Sequence, residues 1–151
     1  MVFEIGSAEQ AEPYLRDKIE QGERLMGFGH RVYKVRDPRA DVLGVAAESM
    51  FESMAADSPE GYELYTLALA VEEKAIELLE EYKPGRKLQT NVEFYTALLL
   101  HGLGLPTDLF SPTFAISRAA GWMAHCFEQL ETKRLIRPKA RFVGDIHSSW
   151  D

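Results

Sequence analysis

Asp37-Pro38, Ser58-Pro59 and Ser111-Pro112 each stand immediately before a run of apolar residues spaced three and four apart. A short polar side chain followed by proline is a helix start. The side-chain oxygen accepts an otherwise unpaired N–H, and proline's fixed φ suits the first turn, where its missing N–H is no loss. The first two stripes are Leu43, Ala46, Ala47, Met50, Phe51 and Met54, then Leu64, Leu67, Ala68, Val71, Ala75, Leu78, Leu79 and Tyr82; the third is Ile116, Ala120, Met123, Phe127 and Leu130. Each lies along one face at 3.6 residues per turn, so the spacing predicts three helices that bury those faces. Lys83-Pro84-Gly85 stops the second. An earlier helix starts near Ser7, which with Gln10 makes a capping-box pattern, and ends at Gln21-Gly22, its regular part beginning at Pro13. Another runs from about Thr90 to His101, closed by Gly102, Gly104 and Pro106. No two segments of period 2 are available to pair as a sheet, so the expected class is all-α. Beyond the last stripe, residues 134 to 144 (RLIRPKARFVG) show no helical period and read as an extended arm.

With 151 residues, 46% hydrophobic and 27% charged, the chain fits one globular domain, or a domain plus a piece of another. Its net charge of -7 argues against a nucleic-acid surface, which needs a broad excess of Lys and Arg. Cys126 is the single cysteine, so neither an internal disulfide nor a tetrathiolate metal site can form within one chain. The expectation is a reducing compartment, a cytoplasmic location and no metal. The first residues, MVFEIGSAEQAEPYL, lack a basic start followed by a long apolar run, and no stretch approaches the length of a bilayer span, so no membrane partner is expected.

Positive charge is nevertheless concentrated in one place. GFGHRVYKVRDPRAD, residues 27 to 41, sets two glycines around Phe28, then His30, then Arg31, Lys34, Arg36 and Arg39. A loop of this kind can bring backbone N–H groups, a titratable ring and guanidinium forks to one small anion. The plainer reading is a glycine turn beside an exposed histidine. Arg118 interrupts the otherwise apolar and small FAISRAAGWMAH, and a guanidinium near a buried face needs an anionic partner. Arg137 sits on the extended arm, where it can reach another surface or simply be solvated. Three arginines, 39, 118 and 137, suit a dicarboxylate or tricarboxylate if they converge. Glu93 has two readings as well: the capping-box partner of Thr90, or a general base kept ionised by a helix N-terminus. His101 and His125 read as packing or capping histidines, and His147 belongs to the tail.

GERLMGFGHRVYKVRDPRADVL, then TNVEFYTALLLHGLGLPTDLFSPTFAISRAAGWMAHCFEQ, then RLIRPKARFVG resemble the citrate synthase family in order and separation, from about Ala8 to Gly144. The resemblance implies condensation of acetyl-CoA with oxaloacetate to citrate and CoA, a transferase step of the tricarboxylic acid cycle. A sister branch uses propionyl-CoA and makes 2-methylcitrate. It implies that His30 hydrogen-bonds and protonates the oxaloacetate carbonyl and that Glu93 occupies the position of the base. By the same resemblance Arg39 and Arg118 bind substrate carboxylates, and Arg137 reaches into the neighbouring subunit's site, as in a dimer. The loop Met26, Gly27, Phe28, Gly29 recognises the CoA adenine, and Lys34 falls at a position associated with CoA phosphates. CoA is then a co-substrate, with no permanently bound cofactor. Residues 1–104 correspond to the small CoA-binding helical domain, and 105–151 to a C-terminal segment, helix plus arm, of an absent large domain.

Two departures accompany the match. The family carries aspartate in an Asn-Val-Asp motif where this chain has Glu93; the added methylene moves the carboxylate by roughly 1 Å, and misplacement of that size can cost about a hundredfold in rate. The family's upstream histidine, which stabilises the acetyl-CoA enol, has no counterpart here. The expectation is that the isolated chain does not complete the reaction. Its fifth helix, with Phe114, Ile116, Trp122, Met123 and Phe127, then exposes an apolar face that favours self-association or a partner chain supplying the N-terminal half. A non-catalytic CoA-binding or regulatory module, and a fragment without any ligand, are the competing readings.

Overall fold

A computed structural model describes residues 1–33 and 35–135, together with 137, 139, 141 and 143. Lys34 and His147 lie outside the described residues. Six α-helices follow in order: α1 (Val2–Ile5), α2 (Ala8–Glu20), α3 (Pro38–Met54), α4 (Pro59–Tyr82), α5 (Val92–Gly102) and α6 (Phe110–Thr132), the last entered through a 3-10 turn, Thr107–Leu109. Among the described residues there is no strand, and the fold is all-α, as the periodicity predicts. They form two units, Met1–Phe110 and Ser111–Asp151.

Asp37 and Pro38 open α3 as expected, with the Asp37 carboxylate accepting from the Arg39 backbone N–H at 3.0 Å. Other starts differ. α2 begins at Ala8 and runs through Pro13, and no side-chain bond closes the Ser7 cap, so the capping box is not formed. Pro13 is the sixth residue of α2, so it removes the N–H that would bond the Glu9 carbonyl, and the helix continues past that one lost bond. At the far end Gly22 takes φ +77°, Gly22 N–H bonds the Ile19 carbonyl, and Glu23 N–H reaches back to Lys18, which is the Schellman closure. The short helix α1 has no signal in the sequence beyond a few apolar residues.

α4 is the spine of the first unit. Its C-terminal half contributes Val71, Ala75, Leu78 and Leu79 to a core shared with Ile5, Ala11, Leu15, Ile19 and Leu25. Tyr65 and Ala68, nearer its start, join Ala40, Ala47, Phe51, Phe94, Tyr95 and Leu98 in a second core. Phe51 stacks on Tyr65 with centroids 5.0 Å apart. Burial of a side chain the size of Phe51 or Leu78 contributes about 2 kcal/mol. α2 packs on α4 and α3 on α5, and Phe28 touches both cores from the loop between α2 and α3.

The second unit contrasts with this. α6 has no buried residue; Ile116, Met123, Phe127 and Leu130, which the periodicity alone would bury, are exposed, as are Phe114 and Trp122, in keeping with the apolar face expected to be open without a large domain. The helix follows from its own hydrogen bonds and spacing, while burial of its stripe needs a facing surface that the periodicity alone does not supply.

Candidate functional site

Gly27 and Gly29 take φ +92° and +78°, a region that favours glycine. A Cβ on either would also come within 3.0 Å of a neighbour, Phe94 in the first case and Leu88 in the second. The loop can therefore lie flat against the segment leading into α5. Gly29 N–H donates to Gln89 O at 2.7 Å, Asn91 N–H to Gly27 O at 2.9 Å, and Phe28 and Thr90 form an antiparallel bridge.

Asn91 locks this arrangement. Its amide donates to Gly29 O at 2.9 Å while its Oδ1 accepts from Glu93 N–H at 3.1 Å. Asn91, not Thr90, is the N-cap of α5, and Glu93 occupies the second helical position. The capping box expected between Thr90 and Glu93 does not form; Thr90 is buried and its hydroxyl points elsewhere. Asparagine next to threonine competes successfully because its carbonyl projects farther and its amide still has donors for the loop. Among the described residues nothing hydrogen-bonds the Glu93 carboxylate, which is exposed at the positive end of α5.

His30 is half-buried at the end of the same loop. Its Nδ1 accepts from Val32 N–H at 3.1 Å and Tyr33 N–H at 3.0 Å. Two N–H groups aimed at Nδ1 require its lone pair, so in the neutral ring the proton sits on Nε2. Arg39 Nη2 lies 3.5 Å from that Nε2. Two donors facing each other do not bond; they share a position that suits an oxygen lone pair. Tyr33 packs on both, its ring centroid 4.6 Å from the imidazole and 5.7 Å from the guanidinium carbon.

Arg39 is aimed by Asp37. Nε and Nη2 grip the two carboxylate oxygens at 3.0 and 2.7 Å, a fork-to-fork pair. Arg39 holds the Asp37 carboxyl down at about 2, against the desolvation that raises it. Asp37 in turn holds the guanidinium above its ordinary range, with smaller contributions from Tyr33 and Glu93. Helix-start chemistry alone accounts for Asp37 as a cap; its proximity to Arg39 across one proline is the signal for the second role.

The cations after His30 do not all face the loop. Arg36, grouped with the ligand-facing cations by the sequence reading, instead donates to Glu72 at 2.8 Å and to Asp41 at 2.5 Å. Glu72, within the buried stripe of α4, also accepts from the Thr90 and Tyr95 hydroxyls, each at 2.5 Å. Burial and this carboxylate push the Tyr95 hydroxyl well above its usual range, so it remains a donor. The signal for Glu72 was an acid at a helical stripe position among Ala68, Val71, Ala75 and Leu79.

A cavity of about 690 Å³ opens in the first unit. Met26, Gly27, Phe28, Gly29, His30 and Glu93 all line it, with Phe94, Leu98 and His101 among the remaining walls. The structure thus brings together the 26–29 loop, His30 and Glu93, with Arg39 at the imidazole. Arg118 and Arg137 belong to the second unit. Arg118 is exposed, its guanidinium 5.3 Å over the Phe114 ring, so solvent meets a charge that the sequence reading placed near a buried face. Arg137 is exposed on the arm.

Residues 1–139 match the family described as "Citrate synthase, C-terminal domain". A citrate synthase of Synechocystis sp. is 43% identical over 150 residues, covering 99% of this chain and 36% of its own length. One from Haloferax volcanii is 45% identical over 133 residues, or 87% of this chain and 32% of the relative. Among solved structures, the ternary complex of carboxymethyl coenzyme A and oxaloacetate with citrate synthase from Thermoplasma acidophilum superposes with a TM-score of 0.74 at 32% identity, over 99% of this chain and 38% of that one. The chain spans about a third of the length of these relatives.

Proposed function

Because the chain belongs to the citrate synthase family, we propose that it supplies the CoA-binding domain, residues 1–104, and a C-terminal segment of the large domain, 105–151, to a citrate synthase completed by further polypeptide. In this reading Glu93 removes a proton from the methyl group of acetyl-CoA. The resulting carbon nucleophile attacks the oxaloacetate carbonyl, whose oxygen takes a hydrogen bond and then a proton from His30. Water hydrolyses the thioester to release citrate and CoA. Arg39 and Arg118 take the family's carboxylate-binding positions, and Arg137 the one that reaches into the neighbouring subunit's site. Met26, Gly27, Phe28, Gly29 and Lys34 hold the coenzyme, which enters as co-substrate.

The observation that carries this reading is the pairing of two donors, His30 Nε2 and Arg39 Nη2 at 3.5 Å, beside a cavity that Glu93 also lines. His30 Nε2–H and the Nη2–H that Arg39 does not give to Asp37 suit a carbonyl or carboxylate oxygen, and a helix-start carboxylate that no described residue hydrogen-bonds suits a base. The Thermoplasma relative, crystallised with a coenzyme A derivative and oxaloacetate, supports the same pair of ligands. The test is calorimetry of the chain with CoA and with oxaloacetate. Heat with both, lost for oxaloacetate in Arg39→Leu and for CoA in Gly27→Val, is the expected result. Absence of heat with either ligand at millimolar concentration contradicts it. Activity with propionyl-CoA exceeding that with acetyl-CoA in the completed enzyme would instead assign the chain to the 2-methylcitrate branch.

A further inference from the structure

Glu72 touches neither the cavity nor any residue assigned to ligand binding, yet its carboxylate ties together the two chain segments that carry them. Arg36 immediately precedes Asp37, the residue that aims Arg39, and is held at 2.8 Å. Thr90 immediately precedes Asn91, the residue that fixes both Gly29 and Glu93, and is held at 2.5 Å. Asp37 N–H closes the circuit by donating to Thr90 O at 3.4 Å. Tyr95, two residues after Glu93, adds a third anchor on α5. All of these groups are hydrogen-bonded, and among the described residues no buried side-chain polar atom lacks a partner.

We propose that Glu72 is a positioning residue of the site: from α4 it sets the separation between the His30–Arg39 donor pair and the Glu93 carboxylate. A packing role alone does not need an acid at this place. A buried carboxylate is costly to desolvate, and an apolar side chain of similar volume commonly replaces a buried ion pair without loss of stability. What an apolar replacement cannot do is pull Arg36 and Thr90 to one point. The claim rests on the reading of His30, Arg39 and Glu93 as one site.

Nitrogen NMR of the His30 ring in the ligand-free full chain provides the test, because Nδ1 is read by Val32 and Tyr33, in the same connection that Arg36 anchors. The wild-type ring is expected to show Nε2 protonated and Nδ1 as acceptor. In Glu72→Gln one carboxylate oxygen becomes an amide N–H and the charge opposite Arg36 is lost, so Arg36, Thr90 and Tyr95 no longer all find an acceptor; the two ring-nitrogen signals should then move toward each other, with oxaloacetate affinity falling about tenfold. Thr90→Val should give the same spectral change, and Thr90→Ser, which keeps the hydroxyl, should restore it. Ring signals in both Glu72→Gln and Thr90→Val that superpose on wild type overturn the proposal, whatever happens to the melting temperature. If Glu72→Gln does not fold, the Val and Ser pair at position 90 decides alone. A spectrum that responds as expected in a chain that binds no oxaloacetate supports the positioning role and removes the reading of the site as an oxaloacetate site.

Discussion

Glu72 and Glu93 lie on neighbouring helices and differ in everything except their chemistry. Glu72 is buried, and Arg36, Thr90 and Tyr95 all bond to it. Glu93 is exposed at the start of α5 with no hydrogen bond to its carboxylate among the described residues. A buried carboxylate that accepts three hydrogen bonds from the fold cannot take up a substrate proton without disturbing the bonds that hold the fold. One that is held only through its backbone N–H, by Asn91, can do so at little structural cost. The pair shows how a small helical domain separates the acid that builds from the acid proposed to react.

The largest expected effect lies on the reactive side. In a complemented enzyme, Glu93→Gln should lower kcat by about a thousandfold, the range of general-base contributions, while changing unfolding free energy by less than about 0.5 kcal/mol. Steady-state kinetics and urea denaturation check both halves. Glu72→Ala should show the opposite balance in stability. It removes one of the two carboxylates that pair with the partly buried Arg36 and strips two hydroxyls of their acceptor, so a loss of about 3 kcal/mol is expected by urea denaturation. Equal stability losses at the two positions would erase the distinction.

Asn91→Ala sharpens the comparison at the link between the two. Loss of the cap on α5 should cost about 1 kcal/mol. Because the same side chain holds Gly29, CoA affinity should fall further than that destabilisation explains, a difference visible by calorimetry on the folded variant. The last effect is read against pH. Asp37 is lowered from 3.8 to about 2 in the folded chain, so its contribution is complete above the unfolded value. It is lost as pH falls from about 4 through about 2. Asp37→Asn should flatten that part of the stability curve, measured by thermal unfolding across the window.

Helix identity was legible because each stripe has a period; α3 and α4 begin where Asp37-Pro38 and Ser58-Pro59 put them, while Ser111-Pro112 lies just inside α6, which starts at Phe110. The site was legible as residue types in a loop, but not as geometry. The sequence could not weigh Thr90 against Asn91 as a cap, because both are good caps and the choice depends on Gly29 O standing within reach of the asparagine amide. It could not separate Arg36 from Arg39 either. Their roles diverge only when α4 brings Glu72 under one and the α3 start brings Asp37 under the other. Periodicity alone makes the stripe of α6 a buried face, and the absence of a large domain makes it an exposed one; it is exposed, since periodicity reports a face without reporting what meets it.

The most direct measurement is thiol release from acetyl-CoA in the presence of oxaloacetate, with this chain mixed with a polypeptide that carries the N-terminal portion of the family. The account predicts CoA release that requires both chains and drops by about three orders of magnitude when Glu93→Gln replaces the wild type. A stable, co-purifying complex that releases no CoA from either acetyl-CoA or propionyl-CoA, or one whose rate is unchanged by that substitution, contradicts it.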